Sequence, residues 1–324
     1  MKTFCSSVVE PLKMEPVMGE KVLEHIQPSE GAVVLDMTFG CGGHSELILK
    51  SDPTVKVLAL DRDPASHSLA QSLAYKYPDR LVPLHGKFSD LPNLIEPLGY
   101  GKGSIDAMLF DCGCSDLQMM DISRGFSHEV DGPLDMRMDG KASDEGLTAY
   151  ELLYSANEID LKNIFKVYGM LSAGKKIARA LLYLRHTHGE VRTTSDLVAV
   201  LDASCDLASH EVRSTFRALR YFVNDELNEL SHGILLSEWY LKTGGRLLTI
   251  SEDQVEDTII KNHFTGTPSS NFAGLPMRFA SFTAPIDGEF VKKTCWSKIN
   301  KHVLIPEGDR LLSRSRKLRA VVKM

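Results

Sequence analysis

No stretch of the 324 residues approaches the roughly 18 consecutive apolar residues of a membrane-spanning helix, so a transmembrane span is not expected. Cysteine is scarce: the six are Cys5, Cys41, Cys112, Cys114, Cys205 and Cys295. They form no CxxC pair, which leaves a zinc site, or any other metal centre, without sequence support. They are also too few and too scattered for a disulfide scaffold, which favours a reducing interior. Internal repeats and low-complexity tracts are missing too. The first twelve residues hold one lysine and no apolar core, which fits neither a signal peptide nor an Arg-rich transit peptide.

What is present is ordinary globular composition, 43% hydrophobic and 25% charged, enough for a sizeable core. At roughly 150 residues per domain, the length allows two domains or one with an insertion. The net charge of −6 argues against a nucleic-acid binder, but its distribution does not. Residues 290–324 carry ten Lys or Arg against two acids, about +8, which leaves about −14 for the rest. Such asymmetry marks either a basic contact surface or a solvated basic C-terminal helix.

From residue 30 the pattern alternates strand and helix. Ala32–Met37, Val55–Leu60, Leu81–Leu84 and Ile105–Phe110 read as strands, with helical periodicity at Ser45–Lys50 and Ala65–Tyr77. This predicts βαβ units and a parallel sheet. The rhythm then breaks: residues 117–210 offer helical stretches, such as Thr148–Tyr154 and Lys175–Arg185, but no buried strand. A helical pattern runs from Phe216 to Leu241, with Lys242-Thr243-Gly244-Gly245 as its expected C-cap, and Arg246–Ile250 follows as a strand. The expected architecture is one α/β domain, residues 1–116 and 214–324, interrupted by a helical insertion at 117–213.

Ligands of open parallel sheets bind beyond the carboxyl ends of the strands, and three clusters fall there. Asp36-Met37-Thr38-Phe39-Gly40-Cys41-Gly42-Gly43-His44 is an acid followed by a compressed glycine turn. It departs from the GxGxxG spacing of a pyrophosphate loop and looks more like an S-adenosyl-L-methionine (SAM) site. Asp61-Arg62-Asp63 ends the second strand, where a carboxylate can accept both hydroxyls of a ribose or cap a helix. Asp111-Cys112-Gly113-Cys114-Ser115 follows the fourth. It lacks both the Pro-Pro-aromatic signature of many amine methyltransferases and the Pro-Cys of pyrimidine C5 enzymes. Cys112 and Cys114 therefore read as small packing residues rather than nucleophiles.

Together with Gly86-Lys87-Phe88, Arg124-Gly-Phe-Ser, Asp131-Gly-Pro-Leu-Asp-Met-Arg-Met-Asp139, Thr215-Phe-Arg-Ala-Leu-Arg220, Val223-Asn-Asp-Glu-Leu227 and Ser313-Arg-Ser-Arg-Lys-Leu-Arg319, these clusters resemble the ribosomal small-subunit RNA cytosine-N4 methyltransferases. The likeness runs from Pro16 to Arg319, with its most family-specific part at 124–139 and features of the mitochondrial animal branch. It implies a Rossmann-like class I SAM-dependent methyltransferase fold with an inserted helical domain facing RNA. It also implies SAM contacts at Gly42, Gly43, His44, Asp61, Phe88, Asp111 and Gln118, with Phe88 near the adenine and Asp111 by the methyl donor. The partner implied is small-subunit ribosomal RNA or the ribosomal small subunit, with a homodimer left open. The address implied is mitochondrial, with the cytoplasm as the alternative.

The match is not uniform. Where the family usually reads Ser-Phe-His-Ser-Leu-Glu-Asp-Arg, this chain has Ser251-Glu252-Asp253-Gln254-Val255-Glu256-Asp257-Thr258. Other departures are Tyr168-Gly169-Met170-Leu171, Glu15-Pro16-Val17-Met18 and Asp116. Asp111 is the expected acceptor for a hydrogen of the target amine. Asp135 either assists it or pairs with Arg137. Arg314, Arg316, Lys317 and Arg319 are expected to hold RNA phosphates, and Lys175, Lys176 and Arg179 share a helix face that adds to them or is simply solvated. Two other readings remain open: a non-catalytic SAM- and RNA-binding assembly factor, and a methyltransferase for a small molecule or protein.

Overall fold

The computed structural model describes residues 15–140, 146–187, 189–205, 207–266, 295–298 and 316–324. Short aliphatic runs form β1 (Val33–Asp36), β2 (Lys56–Asp61), β3 (Leu81–His85), β4 (Ile105–Asp111) and β5 (Leu241–Ser251). The helices α1 (Gly19–Ile26), α2 (Gly43–Ser51), α3 (Pro64–Ala74) and α4 (Leu91–Ile95) precede β4 in the chain. Between β4 and β5 come α5 (Asp116–Met120), α6 (Ala149–Ser155), α7 (Glu158–Val167), α8 (Gly174–Thr187), α9 (Thr194–Cys205), α10 (Ser209–Asn224) and α11 (Glu226–Tyr240). Then follow α12 (Gln254–Phe264), β6 (Trp296–Lys298) and β7 (Lys317–Lys323).

The seven strands lie in the order β3-β2-β1-β4-β5-β7-β6. The first five are parallel, and β7 runs antiparallel to both neighbours. The direction of winding reverses between β1 and β4, and at such a switch point the loops diverge and admit a ligand. Side chains alternate across the sheet. Leu35, Leu58, Leu60, Met108, Phe110 and Leu247 enter one core, whereas Val34, Val57, Ala59, Ala107, Leu109 and Ile250 enter the other. Val22, Ile26, Ile48, Leu49 and Ala70 of α1 to α3 cover the second. The first continues into Leu152, Phe165, Leu181 and Leu219, so the helices between β4 and β5 share the sheet's core. No described helix is long and apolar enough to cross a membrane.

The structure departs from the sequence pattern in three places. The helical run from Phe216 to Leu241 is two helices, broken at Asp225 (φ 51°), which ends α10 and starts α11. Leu227 and Leu230 stay buried after the break, so apolar spacing alone does not register it. The expected C-cap at Lys242–Gly245 is already strand: α11 stops at Tyr240 and β5 begins at Leu241. Its pairing with β4 is irregular between Ile105 and Ala107, a distortion that glycines tolerate. The basic C-terminus ends in β7, not a helix, with Leu318, Ala320 and Val321 buried.

Candidate active site

The loops after β1, β2 and β4 converge at the switch point. After β1, the fully buried Asp36 accepts from the Thr38 amide at 3.1 Å and the Ser45 hydroxyl at 2.7 Å. The Thr38 hydroxyl in turn accepts from the Asp111 amide at 2.7 Å, tying β1 to β4. Gly42 sits at φ 83°, before the first turn of α2. A Cβ there would lie 2.6 Å from Phe39 Cζ, so both conformation and space require glycine. Gly43 opens α2 and His44 follows, 7% exposed. The His44 Nε2 lies 2.9 Å from the Val17 carbonyl. A carbonyl only accepts, so that nitrogen carries the proton. The Nδ1 lies 3.8 Å from Asp111 Oδ2.

At the end of β2, Asp61 reaches back to the glycine turn. One oxygen accepts from the Gly40 amide at 2.7 Å and the other from the Asp63 amide at 2.9 Å. Each oxygen keeps a second lone pair for a further donor. Burial pushes the Asp61 carboxyl up to about 6, against the pull of those two amides. The next acid, Asp63, caps α3 through the Ala65 amide. It also takes a hydrogen bond from Gln118 Nε2 at 2.9 Å and lies 3.1 Å from the Arg124 guanidinium. Gln118 forms a capping box with Ser115 at the start of α5, so its amide is committed on both sides. The Phe88 ring meets Phe110 edge-on at 5.2 Å.

Asp111 ends β4. Burial raises its pKa, opposed by His44 and by Arg316, whose guanidinium lies 3.5 Å from Oδ1. That Oδ1 is buried and makes no hydrogen bond with any described residue, while the carboxylate as a whole stays 20% exposed at the strand end. Beside it, burial pushes the Cys112 thiol well up and the Cys114 thiol to about 11. Both stay protonated at neutral pH, in keeping with the packing reading and not with a nucleophile.

Asp135 is held by Arg137, with Nε and Nη2 donating at 2.8 and 2.9 Å. Burial opposes its ionisation, but these bonds hold its carboxyl below the usual range. This is the pairing alternative for Asp135, and no contact among the described residues joins it to Asp111.

The cations of the basic C-terminus have partners within the chain. Arg319 forks onto Asp257 at 2.6 and 3.0 Å, Lys317 reaches the same carboxylate at 3.1 Å, and Arg316 faces Asp111. Arg314 lies outside the described residues. The altered 251–258 stretch supplies the partners. Glu252 lies 3.3 Å from Arg220, Asp253 2.6 Å from Arg217, and Glu256 accepts from the Tyr221 hydroxyl at 2.9 Å. Sequence reasoning assigned no site role to Arg62, Asp63, Arg124 or Asn224, although all four lie in the motifs it singled out.

Residues 12–324 match the model of the MraW methylase family. The probable methyltransferase-like protein 15 homolog of Drosophila melanogaster is 42% identical over 95% of this chain and 92% of that protein. The 12S rRNA N(4)-cytidine methyltransferase METTL15 of Mus musculus is 38% identical over 95% of this chain and 82% of its own. Ribosomal RNA small subunit methyltransferase H of Parvibaculum lavamentivorans is 40% identical over 77% of this chain and 73% of its own. The chain also matches 22% of the length of a longer Culex quinquefasciatus protein, at 40% identity. On a family model that spans nearly all of its length and relatives this similar, the chain belongs to the MraW methylase family.

Proposed function

We propose that this chain transfers a methyl group from SAM to the N4 amine of a cytidine in small-subunit ribosomal RNA. The observation that carries it is Asp111: a carboxylate at the switch point that stays 20% exposed, its buried Oδ1 facing Arg316 at 3.5 Å without a hydrogen bond among the described residues. The names of the mouse and bacterial relatives supply the reaction and the RNA. The 12S rRNA of the mouse name supports a mitochondrial site of action.

The residues fit SAM. The spare lone pairs of Asp61 suit ribose hydroxyls, and Gly42 and Gly43 leave the start of α2 free of side chains. His44 and Gln118 line the same turn and loop, and Phe88 offers an aromatic face. When bound, SAM supplies a methyl group activated by its sulfonium. The accessible side of the Asp111 carboxylate accepts a hydrogen of the cytidine amine, whose lone pair is otherwise delocalised into the ring. This localises the pair for in-line attack. Asp111 or adjacent water would take the proton that the amine releases on methylation. The rate comes from positioning and fixed charge. Asp135 acts through Arg137, by shaping the 131–139 loop that would hold the extruded base.

The RNA contact we assign to the helices of 117–213 centres on α8. Lys175, Lys176, Arg179, Tyr183 and His186 are exposed on one face, opposite the buried Ile177 and Leu181. Arg179 pairs with Glu158 at 2.9 Å, both well exposed, and such a pair gives way to phosphate at little cost. An exposed aromatic ring among cations can stack on a base while the cations hold phosphates.

The test is product analysis. Purified chain, SAM and unmethylated small ribosomal subunits are incubated, and the digested RNA is examined by mass spectrometry. N4-methylcytidine that is lost with Asp111→Ala supports the reading. SAM binding with no methylated product favours the assembly-factor alternative.

A further inference from the structure

We infer that Arg62 is a positioning residue that transmits the state of the cofactor carboxylate Asp61 to the 131–139 loop. This rests on Asp61 serving the cofactor, as proposed above. Arg62 follows Asp61 in the chain but points the other way. Its Nε and Nη2 fork onto Asp139 at 2.6 and 3.0 Å, and its Nη1 donates to the Asn224 carbonyl at 2.7 Å. The guanidinium therefore joins three elements: the end of β2, the end of the loop, and the end of α10.

The loop between these ties is held in an unusual shape. Met136 is buried and adopts φ 61°, a left-handed conformation that a non-glycine residue keeps only where its surroundings impose it. Asn224 imposes it from one side, donating to the Met136 carbonyl and accepting from the Met138 amide, each at 2.7 Å. Arg124 imposes it from the other, donating to the Arg137 and Met138 carbonyls at 2.8 and 2.9 Å. Arg124 itself leans on Asp63, two residues after Asp61. The two residues that follow Asp61 thus each hold one side of the segment that carries Asp135 and Arg137. The pairing of Arg62 with Asp139 is mostly buried, at 15% and 25% side-chain exposure. A bidentate guanidinium–carboxylate pair fixes direction as well as distance, which an ammonium cannot do. A ligand that locks Asp61 locks Arg62 through the shared backbone, and the loop loses freedom with it.

The experiment is amide hydrogen exchange on the full chain with and without SAM, for wild type, Arg62→Lys and Asp139→Asn. Calorimetry establishes SAM occupancy for each. Wild type is expected to slow exchange across 134–138 by about fivefold or more when SAM is bound. Both variants are expected to bind SAM within about threefold of wild type yet to lose most of that slowing. A purely structural role for Arg62 would loosen the loop equally with and without SAM. The inference is overturned if either variant keeps the full SAM-dependent slowing, or if SAM-loaded wild type shows none. Failure of wild type to take up SAM overturns the cofactor reading first, and this inference with it.

Discussion

Arg316, immediately before β7, places its guanidinium 3.5 Å from the carboxylate of Asp111 at the end of β4. The antiparallel return of β7 beside β5 therefore sets the start of β7 beside Asp111. His44 faces the same carboxylate from α2, whereas Asp36 and Glu252 oppose its ionisation from β1 and the end of β5.

Removing Arg316 tests that balance. Without its positive charge, the folded Asp111 carboxyl titrates at higher pH and is protonated over a wider range. A protonated Asp111 has lost its acceptor strength, so the acid limb of the rate profile moves up. Arg316→Ala should shift that limb by about one pH unit, measured as the single-turnover rate of methyl transfer between pH 5 and 9. An unmoved limb would separate Arg316 from Asp111.

Asp61 predicts a pH dependence of cofactor affinity. Its carboxyl titrates at about 6 in the folded chain, and only the ionised form accepts two ribose hydroxyls. SAM binding should weaken as pH falls through 6, by about tenfold between pH 7.5 and pH 5. Titration calorimetry at the two pH values measures this, and Asp61→Asn should bind weakly at both.

Glu256 predicts a pH dependence of stability. Burial, then Asp253 and Glu252, push its carboxyl up to about 8. The folded state therefore holds its proton more tightly than the unfolded state, whose carboxyl titrates near 4.5. Its stabilising contribution is whole below that value, declines as pH rises, and is lost above about 8. Glu256→Gln should raise the melting temperature at pH 8.5 by about 2–4 °C or more and leave it little changed at pH 5.

The exposed face of α8 predicts a salt-dependent effect on RNA affinity. Neutralising Lys175, Lys176 and Arg179 together should raise the KM for small subunits about tenfold at low salt. It should also flatten the salt dependence by about one unit of slope for each phosphate that these cations neutralise in the wild type. SAM affinity should not change. An unaltered salt slope would move the RNA-binding face elsewhere.

Much of this was legible in the sequence because parallel strands buried on both faces read as bare apolar runs. Leu35, Leu58 and Met108 are fully buried, and the acids ending their strands, Asp36, Asp61 and Asp111, converge as the topology demands. Asp225 was not legible, because one left-handed residue leaves the apolar spacing of two helices in phase. Nor were the partners of Arg316, Lys317 and Arg319. A run of cations looks alike whether it faces solvent or a buried Asp257, and only the return of β7 decides which. Arg62 was hidden for the same reason: its partner Asp139 lies 77 residues away in the chain.

The most direct test of the central claim is the single-turnover methyl-transfer rate of Asp111→Asn beside its SAM dissociation constant. The account predicts a rate lower by about 10²–10³-fold, with SAM affinity within a few-fold of wild type, because the amide keeps the shape and loses the acceptor charge. A near-normal rate, or a loss explained wholly by weaker SAM binding, would contradict a direct role for Asp111 at the amine.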